Sequence, residues 1–89
     1  VSEEASRLLG NVAVKEIINC LKSGEKTVND VVDCLNKISP TGLQPLVVEL
    51  YLWLLAQKGY VEVKGSGPTA VYSLTNKGKT IQASYVSYN

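Results

Sequence analysis

The sequence predicts an α+β domain in which three helices precede a β-hairpin and a last helix closes the chain. Three observations predict it. Apolar residues recur at helical spacing in three successive stretches between Val12 and Lys58. Beyond Gly59 the spacing changes to alternation, in two short runs that flank a loop holding Gly65, Gly67 and Pro68. Finally, 89 residues with 45% hydrophobic and 19% charged side chains make one packed domain, residues 1–89, with no room for a second.

Each element follows from local chemistry. Ser2 before Glu3 and Glu4 suits a helix N-terminus, so a short helix is expected as far as Leu9, ahead of Gly10 and Asn11. Val14, Ile17, Ile18 and Leu21 then define a helical stripe from Val12 to Leu21, which Lys22-Ser23-Gly24 closes. Thr27 is an N-cap for the next helix, with the Asp30 carboxylate placed to meet free backbone N–H groups. Val28, Val31, Val32, Leu35 and Ile38 form its buried stripe. Ser39-Pro40-Thr41-Gly42 reads as a turn, because proline disfavours a helical residue before it.

The third main helix runs from about Leu43 to Lys58, with Pro45 in its first turn and Gly59 as its stop. At about 100° per residue, Leu43, Val47, Leu50, Tyr51 and Leu54 fall on one face and are expected in the core. Pro45, Glu49, Leu52, Trp53 and Ala56 gather on the other. Tyr60–Val63 and Ala70–Leu74 form the hairpin, with Val61 and Val63 on one face. Thr75 caps the last helix, which starts near Asn76 and carries Ile81 and Tyr85 toward Tyr88.

Three stretches carry a family resemblance. Thr27 to Ile38, the turn at Ser39–Gly42 and the helix from Leu43 match a helix-turn-helix. Leu54-Leu55-Ala56-Gln57-Lys58-Gly59-Tyr60-Val61 is similar to the exit from a recognition helix into a wing. Val71-Tyr72-Ser73-Leu74-Thr75-Asn76-Lys77-Gly78 is similar to the end of the second wing strand. In this order they resemble a winged helix-turn-helix domain, closest in look to bacterial and archaeal regulators of the MarR and PadR type, over roughly Val12 to Ile81. The resemblance implies double-stranded DNA as partner, with the third helix in the major groove and the wing on phosphates. The residues it puts in position are Lys37, Ser39, Thr41 and Gln44 at the helix N-terminus, with Lys64, Ser66, Lys77 and Lys79 on and after the wing. Ser39 and Thr41 equally suit a plain turn and cap. The fold also serves as a protein-interaction module in larger assemblies.

Charge bears on both readings. The net charge is only +1, yet residues 58–89 hold four Lys against one Glu, while residues 1–57 hold five basic against seven acidic residues. The wing end is therefore the basic end, which suits backbone contact, although four lysines also make an ordinary solvated surface. Against DNA stands the third helix, which has no Lys or Arg from Leu46 to Gln57. A helix apolar nearly all round is buried on both sides. Its Glu49, Leu52 and Trp53 side is expected to lie under the chain's own terminal helices or under a partner. Tyr85 and Tyr88 are expected to pack or to join that contact. A homodimer covering this side would pair two wings for a palindromic site.

Other chemistry is thin. With no His and two Cys, neither a zinc site nor thiol catalysis is expected, and no enzyme, metal or cofactor is implied. Cys20 and Cys34 fall on the first two main helices, whose packing could bring them close enough for a bridge, but the rule for a reducing cytosol favours two free thiols. Gly78-Lys79-Thr80 imitates the end of a phosphate-binding loop, yet Ser73 stands where that motif needs its first Gly. The longest apolar run is too short to span a membrane, and no signal-peptide pattern opens the sequence, so a cytoplasmic location is expected.

Overall fold

The computed structural model describes residues 12–38 and 43–80. The short helix expected before Leu9, the turn residues Ser39 and Thr41, and the tyrosines Tyr85 and Tyr88 lie outside the described residues. Within them the order is α1 (Val12–Cys20), a 3-10 turn (Leu21–Ser23), α2 (Val28–Ile38), α3 (Pro45–Gln57), β1 (Val61–Lys64), a 3-10 turn (Gly67–Thr69) and β2 (Val71–Leu74). A further helix, α4, begins at residues 76–80.

α1 and α2 bury the stripes their spacing predicts. Val14, Ile17, Ile18 and Leu21 are buried, as are Val31 and Leu35, with Val28 and Val32 packed against them. The start of α2 is fixed by reciprocal hydrogen bonds: the Asp30 amide donates to Thr27 Oγ1 and the Thr27 amide to Asp30 Oδ2, each at 3.2 Å. Two donors that the helix start would leave unpaired are thereby satisfied, a cap that contributes about 1 kcal/mol.

Cys20 and Cys34 are joined by a disulfide, with Cα atoms 6.0 Å apart, which corrects the expectation of two free thiols. Helix packing decides this. α1 lies along α2, Cys20 is buried in the seam, and Cys34 packs against the same core.

α3 is the largest correction. Its inward residues are Val48, Leu52 and Leu55, all fully buried. Of the residues expected in the core, Leu50 and Val47 are exposed, while Leu43, Tyr51 and Leu54 are half-buried. The physical reason is that α3 is apolar on every side, so spacing alone cannot say which side faces in. Neighbouring elements set the phase.

β1 and β2 pair antiparallel, in the register Val61↔Leu74, Glu62↔Ser73, Val63↔Tyr72 and Lys64↔Val71. Lys26 adds a third short rung, exchanging both backbone hydrogen bonds with Tyr72 at 2.9 and 2.7 Å. β2 therefore lies between β1 and the segment that leads into α2. Val61, Tyr72 and Leu74 are buried, whereas Val63, expected to share the face of Val61, is 44% exposed toward the end of the hairpin.

Candidate nucleic-acid interface

The surface at issue is built from the start of α3, its outward face and the hairpin. Gln44 precedes α3 in an extended conformation and makes no side-chain cap hydrogen bond, so its amide stands exposed at the helix tip. Pro45 opens the helix, where a missing N–H costs nothing. Lys37 is exposed near the end of α2, just before the segment that joins the two helices. Lys64 and Ser66 are exposed at the far end of the hairpin.

The end of α3 is locked. Gly59, with φ of +84°, takes the left-handed conformation that ends many helices. Its N–H donates to the Ala56 carbonyl at 3.1 Å, and the Tyr60 N–H reaches back to the Leu55 carbonyl at 2.9 Å. Together these form a Schellman motif, with buried Tyr60 and Leu55 supplying its apolar contact.

The next three carbonyls are taken up by the start of α4. Lys77 Nζ donates to the Lys58 carbonyl at 3.0 Å, Thr75 Oγ1 to the Gly59 carbonyl at 2.6 Å, and the Thr75 amide to the Tyr60 carbonyl at 3.1 Å. The Thr75 hydroxyl also accepts from the Gly78 amide at 3.1 Å, capping α4. Lys77 lies 4.5 Å over the Tyr60 ring and next to the negative end of the α3 dipole.

This arrangement divides the lysines that the sequence groups together. The Lys77 ammonium is engaged at the C-terminal end of α3, roughly 20 Å along the helix from Gln44. Lys79 lines a cavity with Leu21, Lys22, Gly24, Ser73 and Leu74, beside the 3-10 turn that follows α1. Lys37, Gln44, Lys64 and Ser66 are each exposed, at the end of α2, the start of α3 and the hairpin. No local signal separates Lys77 from Lys64, because the carbonyl that engages Lys77 lies 19 residues away in sequence.

Leu52 is completely buried, so it belongs to the core and not to a partner-facing surface. Trp53, its neighbour, is 59% exposed. With it on the outside are Leu46, Val47, Glu49 and Leu50. Helical spacing predicts Val47 and Leu50 inside, and both stand outside. Glu49 carries the one charge of α3 and lies near Tyr72. Burial pushes the Tyr72 phenol above its ordinary value, and the Glu49 carboxylate adds to the rise.

Over 97% of its length the chain is similar to the diamide-treated YodB of B. subtilis, at 27% identity and a TM-score of 0.79, covering 83% of that chain. A transcriptional regulator of the MarR family from Enterococcus faecalis V583 gives a TM-score of 0.80 at 17% identity, covering 99% of this chain and 83% of its own. A PadR family transcription regulator from Clostridium difficile R20291 gives 0.73 at 15% identity, over 88% and 86%. This chain is a winged helix-turn-helix domain resembling MarR- and PadR-type regulators. No protein-family model and no curated protein matches the sequence.

In the winged helix, α2 and α3 are the helix-turn-helix and β1–β2 is the wing. The Leu54–Val61 and Val71–Gly78 stretches that mark the resemblance meet in one clasp, where Thr75 and Lys77 hold the Lys58, Gly59 and Tyr60 carbonyls and set the wing against the end of α3. Among the described residues, no helix is long and apolar enough to cross a membrane.

Proposed function

We propose that this winged helix is a transcription regulator that binds double-stranded DNA, presenting the start of α3 to the major groove and the wing to phosphates. The observation that carries the reading is the exposed, uncapped Gln44 amide at the tip of α3, on a fold whose structural neighbours are transcriptional regulators. In helix-turn-helix proteins the first residues of the second helix make the base contacts. A glutamine there can pair with both the N6 and N7 groups of adenine. Lys37, Lys64 and Ser66, with Ser39 and Thr41 leading into α3, supply the phosphate contacts that fix position without reading sequence.

The two classes of contact separate by mutation. Lys64→Gln is expected to weaken duplex binding about equally for all sequences and to lower the salt slope by about one. Gln44→Ala is expected to change the ranking of sequences, at about 1–3 kcal/mol for the preferred one. Fluorescence anisotropy over a panel of duplexes checks both, and indifference to both substitutions contradicts the assignment.

A second reading, a winged helix used for protein contact, is favoured by one observation: the outward face of α3 is apolar, and Trp53 and Leu50 stand exposed on it.

A further inference from the structure

We infer, resting on the DNA reading above, that Leu46 and Leu50 of α3 read thymine, each packing on the methyl group that this base presents in the major groove. The substrate class is then a duplex with thymine at two positions beside the adenine that Gln44 addresses. Val48, Leu52 and Leu55 bury one side of α3, so a groove that receives the start of this helix meets the opposite side. There Leu46 is 64% exposed and Leu50 59%. One helical turn separates them, and at about 100° per residue they lie within about 40° of each other.

The two leucines continue the row that Gln44 begins. Leu46 stands in the first turn of α3, two residues after Gln44, and Leu50 in the second. Their separation along the axis is about 6 Å, close to two base-pair steps of about 3.4 Å. A major groove about 12 Å wide admits a helix, which brings this row to the base edges.

Chemistry selects the base. Guanine, cytosine and adenine present only hydrogen-bonding atoms in the major groove, whereas thymine adds a methyl group. A leucine side chain neither donates nor accepts, so against a polar edge it removes water and returns nothing. Against thymine it takes a methyl group out of water. Glu49, the one charged residue of α3, flanks the row and supplies acceptors, which repel the N7 and O6 acceptors of guanine. The missing Lys and Arg between Leu46 and Gln57 therefore count against guanine, while a thymine methyl needs no cation.

The test is fluorescence anisotropy of the full chain on an A·T duplex and on the same duplex with deoxyuridine for every thymidine, which removes the methyl groups alone. Each methyl in contact is expected to contribute about fourfold in affinity, so the wild type binds the uracil duplex about fifteenfold more weakly. The salt slope is expected to be the same for both, because the phosphates are unchanged. The double variant Leu46→Ala, Leu50→Ala is expected to keep the wild-type melting temperature, both positions being exposed, and to bind the two duplexes alike. Equal affinity of the wild type for the two duplexes overturns the proposal. So does a preference for thymine that survives in the double variant. Binding of neither duplex at about 50 mM salt contradicts the DNA reading itself, and the thymine contacts fall with it.

Discussion

Breaking the Cys20–Cys34 bridge is expected to cost the domain about 3 kcal/mol, the value for closing a loop of about fifteen residues. The bridge joins residues 14 apart on α1 and α2, and these helices hold the start of the helix-turn-helix against the rest of the core. For a domain of this size 1 kcal/mol moves the melting temperature by roughly 4–8 °C, so a fall of roughly 12–24 °C is expected. Thermal melts followed by circular dichroism, with and without a thiol reductant, measure it. The Cys20→Ser, Cys34→Ser double variant should melt at the reduced temperature and ignore the reductant. A wild type indifferent to reductant contradicts the bridge.

A second large effect is expected at Gly78. A Cβ built there would fall on the Tyr60 carbonyl oxygen and stand 3.2 Å from a Leu74 methyl. That carbonyl is held in place, since it already accepts from the Thr75 amide, and Tyr60 is buried. Gly78→Ala must therefore push α4 away from the end of α3, loosening the Thr75 and Lys77 contacts together. Overpacking at a rigid contact costs about 1–3 kcal/mol, and the lost hydrogen bonds add to it. We expect about 3 kcal/mol or more in chemical denaturation, against less than about 0.5 kcal/mol for exposed Asn76→Ala. Equal stability of the two variants contradicts the clasp.

Gly78 also shows what kind of information a sequence holds. That a glycine follows Thr75-Asn76-Lys77 is plain to read, and with Gly59 it suffices to suggest the fold. Why it must be glycine depends on Tyr60, which reaches it through the hairpin. Features set by neighbours in the chain were legible in advance: the buried stripes of α1 and α2, the Thr27–Asp30 cap, the Gly59 stop and the hairpin. Each is a local pattern with one good solution.

Features set by tertiary contact were not. α3 offers an apolar residue to every side, so nothing in its periodicity says that Leu52 goes in and Leu50 out. The choice is made by α1, α2 and β1, which pack against it. Lys64 and Lys77 look alike as solvated cations near a wing. One is exposed at the hairpin end, and the other donates to the Lys58 carbonyl just past the end of α3. The disulfide was likewise hidden, because residue spacing allows a bridge but only helix packing brings the two thiols together.

The candidate site was therefore legible in outline and not in membership. Lys77 is engaged at the end of α3, Lys79 lines the cavity beside the turn after α1, and of the side expected under a partner Leu52 is buried while Trp53 is exposed.

The central claim, that this winged helix grips duplex DNA by a few lysines and the tip of α3, is tested most directly by the salt dependence of binding to a generic duplex. Two phosphate-neutralising lysines, Lys37 and Lys64, predict a log–log slope near −2 and a loss of roughly tenfold between about 50 and 200 mM salt. No binding at about 50 mM, or binding indifferent to salt across that range, would contradict it.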